Sequence, residues 1–202
     1  MSRAIDVLMS EHRLIERVLA ALEAHVRELE QERRLERGPV RDFASFLRNY
    51  ADACHHGKEE DLLFKRMADF GFPVEGGPIG VMLHEHSLGR QHVAALRAIG
   101  DAIGSVTGEE QAAFRQNARE YVPLLRSHIL KEDNVLYPMA LQILPPEELD
   151  RLAQQYDEFE DGVVGRAAYE EMQRLAERLV LAHPFDPAVL TAQVSLGCGA
   201  SR

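Results

Sequence analysis

The stretch 54-CHHGKEEDLLF-64 sets two histidines four residues ahead of two glutamates. On an α-helix, residues four apart share a face one turn apart, whereas neighbours diverge by about 100°. Two same-face pairs can be drawn from the stretch, His55 with Glu59 or His56 with Glu60. The apolar phase of the preceding segment leans away from both and leaves the choice open. A later stretch, 128-HILKEDNVLY-137, contains one such pair, His128 with Glu132, and aligns with the first option.

The alignment extends further. The segment 7-VLMSEHRL-14 matches 81-VMLHEHSL-88, setting His12 against His86. The separations are nearly equal, 43 residues from His12 to His55 and 42 from His86 to His128. Apolar residues recur at spacings of three and four around each histidine: Ile5, Leu8, His12, Ile15, Leu19, Leu22 and Val26 in the first segment, and Ile79, Met82, His86, Gly89, Val93, Leu96 and Ile103 in the third. The second segment runs from near Pro39 to the Gly- and Pro-rich 71-GFPVEGGPIG-80. The fourth carries Phe114, Ala118, Tyr121, Leu125, His128, Glu132, Val135 and Met139, with Thr107 and Glu110 at capping-box spacing before it. The pattern predicts an all-α protein: an up-down four-helix bundle with a pseudo-twofold repeat over residues 1–142, a C-terminal helical extension packed on it over 143–184, and an irregular tail over 185–202.

Composition narrows the function. The 202 residues are 46% hydrophobic and 28% charged, with no Trp and a formal net charge of −10. That charge argues against a phosphate-binding surface and so against a nucleic-acid partner. No apolar run approaches the roughly 18 residues of a membrane helix, and the N-terminus breaks into charge too early for a secretory signal. The expectation is a cytoplasmic monomer or homodimer without a membrane partner. Cys54 and Cys198 form neither a disulfide framework nor a close-spaced metal motif.

Burying four imidazoles and two carboxylates without partners costs kilocalories for each group, and apolar residues would fill a bundle core better. A polynuclear metal site resolves the conflict, because helix bundles build dinuclear centres from carboxylate and imidazole one turn apart on facing helices. An N/O donor set without thiolate suits iron or manganese. If both glutamates bridge, each metal receives two imidazoles and two carboxylate oxygens. An oxo or hydroxo bridge then leaves one position for O₂, NO or peroxide.

The four motifs SEHRLIERVL, HHGKEEDLLF, HEHSLGRQHV and YVPLLRSHILKEDNVLYPMA, in this order, resemble the hemerythrin-like, HHE cation-binding proteins over about residues 3–141. The resemblance implies a non-heme di-iron centre, with His12, His55, His86 and His128 as ligands and Glu59 and Glu132 as bridging carboxylates. Oxygen-carrying hemerythrins have a further histidine four residues beyond the third-helix ligand. Here that position is Arg90, which counts against reversible O₂ carriage.

Other positions are candidates for supporting roles. His56 and Glu60 remain the alternative ligands. Glu11 and Glu85, matched across the repeat, are candidates for partners behind the ligands, as is Tyr121, two turns before His128. Gly89, against Ile15 in the repeat, suggests a small-ligand cavity. His84 and His92 are alternative imidazoles but lie off the main stripe, and His25 and His183 fall in no partner pattern and read as structural. The functional expectation is a metal-binding protein with two iron ions, or manganese or a mixed pair, that binds or senses O₂, NO or related oxidants. An alternative is an enzyme reducing peroxide or NO with an unidentified electron donor, or an iron donor in iron–sulfur cluster repair. A metal-free helical interaction module is the third.

Overall fold

The structure, a computed structural model, describes residues 2–31 and 34–191. Helix α1 is Arg3–Glu30. Helix α2 covers 37–69, α-helical over Arg37–Phe46 and Phe64–Asp69 but widened to π-type turns over Leu47–His56 and Glu59–Leu63. Helix α3 is Pro78–Asp101, with proline in its first turn where no intrahelical N–H is required. Helix α4 covers 108–143 and contains a π-type turn at Glu132–Leu136. Its start is the expected capping box: the Glu110 amide donates to the Thr107 hydroxyl at 3.2 Å, and the Thr107 amide donates to the Glu110 carboxylate at 2.8 Å. The extension forms α5 over 146–164 and α6 at Arg166–Ala182. A short α7, Ala188–Thr191, lies where an irregular tail was expected; Cys198 falls outside the described residues.

Helix α1 packs on α2 and α4, and α3 on α2 and α4, closing the four-helix ring. The core divides into two apolar layers. One contains Ile15, Leu19, Leu22, Phe43, Phe46, Leu96, Phe114 and Leu125; the other contains Ile5, Leu8, Leu63, Met67, Ile79, Met82 and Leu136. Along α1, His12 falls between Leu8 of one layer and Ile15 of the other, which places the polar residues in a plane between two greasy halves.

The apolar phase of the fourth segment breaks after Glu132. Val135 was expected inside but is 43% exposed, while Leu136 and Tyr137 are buried. A π-type turn accommodates one extra residue, so the buried face moves on by one position where it occurs. Ile103 also departs from its expected stripe: α3 ends at Asp101, and Ile103 is fully exposed.

Helices α5 and α6 lie over α1 and α2. Leu149, Leu152 and Tyr156 join one apolar layer, and Leu175 and Leu179 join the other. Ion pairs Arg3–Asp157 and Arg17–Glu177 tie the surface of α1 to the same helices. The extension also packs tightly at Gly57, where a Cβ would stand 2.9 Å from Phe159 Cζ of α5. Gly57→Ala therefore forces the ring aside and is expected to destabilise the protein by about 1–3 kcal/mol, as overpacking does. In urea denaturation, Phe159→Ala in the same chain should recover part of that loss.

Candidate metal centre

Five imidazoles meet in the polar plane: His12 from α1, His55 and His56 from α2, His86 from α3 and His128 from α4, with Glu59 and Glu132 between them. They form two donor groups, His12, His55, Glu59 and Glu132 on one side and His56, His86, His128 and Glu59 on the other. Glu132 Oε2 is 3.2 Å from both His12 Nε2 and His128 Nε2. Glu59 Oε2 is 3.6 Å from His55 Nε2 and 3.5 Å from His86 Nε2. Each glutamate thus reaches both groups. Donors bound to one cation at metal–ligand lengths near 2.1 Å stand about 3.0–3.4 Å apart, from octahedral to tetrahedral geometry. The observed spacings lie at or close to that range.

The imidazoles are aimed by a surrounding shell of carboxylates. His12 Nδ1 is 2.7 Å from Asp133 Oδ1, His55 Nδ1 2.9 Å from Glu11 Oε2, His86 Nδ1 2.6 Å from Glu60 Oε1, His128 Nδ1 3.0 Å from Glu85 Oε2, and His56 Nδ1 3.4 Å from Asp52 Oδ1. An ionised carboxylate only accepts, so each Nδ1 is the donor and each Nε2 is left to face the centre. Cations hold the carboxylates in turn: Arg13 on Asp133, Lys58 on Glu11, Lys131 on Glu85, and Arg90 on both Asp52 and Glu60. Within the centre, His55 Nε2 and Glu59 Oε2 are buried without a hydrogen-bond partner. Imidazole lone pairs and carboxylates converging at this depth fit a bound cation pair, which would satisfy them together.

The repeat is visible in this shell. His55–Glu11–Lys58 matches His128–Glu85–Lys131, and His12–Asp133 matches His86–Glu60. Two departures from symmetry matter. His56 occupies the repeat position of Ile129, so one side gains an imidazole. Tyr137 occupies the position of Phe64: its ring stacks on His12 at 5.5 Å and its hydroxyl donates to Glu59 Oε1 at 2.7 Å, whereas the Phe64 ring lies 6.1 Å from His86.

The opening choice falls on the first pair, His55 and Glu59, with His56 of the second pair added to it. Both histidines of the HH pair face the centre and only the first glutamate does, while Glu60 stands behind His86. Ideal α-helical phase would turn His56 away from His55; the π-type turn ending at His56 advances less per residue and brings both rings to one side, 5.6 Å apart. Glu11 and Glu85 are the carboxylates behind His55 and His128. His84 is exposed on α3, and His92 Nδ1 pairs with Asn117 Oδ1 at 3.1 Å, so neither reaches the centre. Tyr121 is not a partner of the ligands. It belongs to the apolar layer, and its ring fills the space beside Gly89 where a cavity was expected, with Cε2 3.4 Å from the position of a Gly89 Cβ. Tyr137, Lys58, Asp52 and Asp133 were not foreseen. The one legible signal was the Phe64/Tyr137 difference at matched positions of the repeat.

The extension completes one quarter of the shell. Lys58 is fully buried and donates to Glu160 of α5 at 2.8 Å as well as to Glu11, and the Tyr169 hydroxyl of α6 donates to Glu11 at 3.2 Å. Among the described residues the matching pair Lys131–Glu85 has no such cover, and the Lys131 side chain is 38% exposed.

Protonation follows from this packing. Burial drives His55 and His56 well below the usual imidazole range, reinforced by His12 and His86 respectively. At His128 burial pulls downward, but Glu132 and Glu85 outweigh it and lift the group to about 9. Glu59 is pushed up by burial and by the charge of Glu132; Glu132 is held low, against its own burial, by His128 and His12. Without metal, His128 is thus protonated at neutral pH, and a cation must displace that proton. Metal affinity should rise with pH up to about 9, and titration calorimetry in buffers of different ionisation enthalpy should detect proton release at pH 7. Replacing His55, His56 or Glu59 by Ala should lower metal content, with His84→Ala as the unaffected control.

Comparison with known proteins gives the same picture. The family model described as the hemerythrin HHE cation binding domain matches residues 3–140. An uncharacterized protein of Mycobacterium tuberculosis (strain H37Rv), Rv1995, is 20% identical over 169 residues, 84% of this chain and 66% of its own length. The iron-sulfur cluster repair protein YtfE of Dickeya chrysanthemi is 32% identical over 93 residues, 44% of this chain and 41% of its own length. The chain thus spans just under two thirds of the mycobacterial relative and under half of the repair protein. No solved structure matches it. With the family model spanning all four bundle helices and both His–Glu motifs, the chain belongs to the hemerythrin HHE cation-binding family.

Proposed function

We propose that the protein is a dinuclear non-heme iron protein that binds a small oxidant, O₂, NO or peroxide, on the side of the centre formed by His12 and His55. The observation that carries this reading is the unequal division of imidazoles around two shared glutamates. Three face one position and two face the other, and with each glutamate within reach of both, the first position counts five donors and the second four, so the two-imidazole position has the freer coordination sphere. An iron pair held there would supply redox-active, open coordination for such a ligand.

The chain's own residues do the rest. Five carboxylates hold the imidazole rings with Nε2 inward, so that apart from the proton His128 gives up the donors need not reorganise when a cation binds. The apolar layers above and below exclude bulk water, which strengthens every charge interaction between them. Tyr137 places a phenol at the two-imidazole side, 3.3 Å from His12 Nε2. Burial and the charges of Glu59 and Glu132 keep its phenol protonated, and a ligand acceptor atom beside His12 would take over the hydrogen bond that it now gives to Glu59. Arg90, where oxygen carriers have a histidine, orients Asp52 and Glu60 behind His56 and His86, and His56 supplies the fifth imidazole from α2.

Two iron ions per chain are expected after growth in iron-replete medium; near-zero iron would leave only a helical interaction module. Optical spectra of the anaerobically reduced protein before and after O₂ or NO should reveal a stable adduct. Tyr137→Phe should keep its iron yet weaken that adduct about tenfold, the worth of one hydrogen bond in a dry site.

The similarity to the cluster repair protein favours a second reading, in which the iron is delivered to a damaged cluster. Iron retained through incubation with an apo iron–sulfur protein supports ligand binding, and transfer supports repair.

A further inference from the structure

We propose that His25, Glu28 and His183 form a separate mononuclear site for a divalent first-row transition ion, which clips the end of the C-terminal extension to α1. His25 and Glu28 stand three residues apart on one face of α1, and His183 follows the last turn of α6. Their donor atoms lie within 4.8 Å of one another. Glu28 Oε2 is 3.7 Å from His25 Nδ1 and 3.5 Å from His183 Nδ1. For a tetrahedral ion with bonds near 2.1 Å the corresponding edges are about 3.4 Å, so a shift of a few tenths of an ångström closes the triad on an ion.

The setting suits a metal as well as the spacing does. The two imidazole rings meet at 4.3 Å, and Phe43 backs both, at 5.8 Å from His25 and 5.4 Å from His183, while Phe114 meets His25 edge-on at 5.7 Å. The rings are therefore walled on their inner side. Glu28 is half-buried and borders an open groove lined also by Arg27, Gln31 and Asp186, through which an ion and its water can arrive. Two imidazoles and one carboxylate form the protein donor set of open zinc sites and of non-heme iron sites. The site is independent of the dinuclear centre: His25 lies 13 residues from His12 on the same helix, about 20 Å along its axis. Because α5 and α6 carry Glu160 and Tyr169 to the buried Lys58 and Glu11, an ion joining α6 to α1 would also steady the cover over His55.

The test is zinc binding to the iron-loaded full chain. Wild-type protein should take up one Zn²⁺ more than His183→Gln or Glu28→Gln, with iron content equal in all three, and Zn²⁺ should raise the melting temperature of the wild type only. The difference of one equivalent is read whether or not the main centre holds iron. Equal zinc uptake by the wild type and both variants would overturn the assignment. Zinc X-ray absorption on the wild type alone guards against a variant that fails to fold: a shell with two imidazoles supports the site, and a thiolate or all-oxygen shell overturns it.

Discussion

Everything in this protein turns on the hydrogen bond between each inward imidazole and the carboxylate behind it. Two glutamates and five histidines are buried where two apolar layers meet. Left to themselves, such groups cost several kilocalories per mole each. Five Nδ1–carboxylate contacts answer half of the requirement, locking ring orientation and tautomer, and leave the Nε2 atoms and the glutamate oxygens to be answered by cations. The outer Arg and Lys residues then balance the carboxylates, so charge alternates from centre to surface.

The helices are deformed to serve that arrangement. Both glutamates of the centre open π-type turns, at Glu59 and Glu132, and a third such stretch ends at His56. Widened turns bring residues to the centre that an ideal helix would hold apart, His56 beside His55 and Tyr137 after Glu132. The extension is part of the same design. It buries the Glu11–Lys58 pair on one hairpin and leaves the matching Glu85–Lys131 pair near solvent, so a centre built from a repeat is unequal on its two sides.

Much of this was legible in the chain. The three-and-four spacing of apolar residues around His12 and His86 marked buried helical faces, and the near-equal 43- and 42-residue separations placed them in paired hairpins. The capping box at Thr107 marked a helix start because both partners are local. Illegible were the features that depend on small departures from regular geometry. Val135 is turned out and Tyr137 is turned in because the turn at Glu132 holds one more residue than an α-helical turn. Tyr121 and Gly89 share a stripe with the centre, yet one ring fills the room the other leaves.

The sequence by itself determined that polar residues of two matching hairpins would be buried together: the repeat and the helical period gathered His12, His55, His86, His128, Glu59 and Glu132 and left His56 and Glu60 as alternatives. Tertiary structure alone decided how the two sides differ. The direction of His56, the reach of Tyr137 to Glu59, the cover of Lys58 by Glu160 and the meeting of His25 with His183 depend on helix widening and on contacts between distant segments. A shift of one residue in a turn, or an approach across more than a hundred residues of chain, leaves no periodic trace in the sequence.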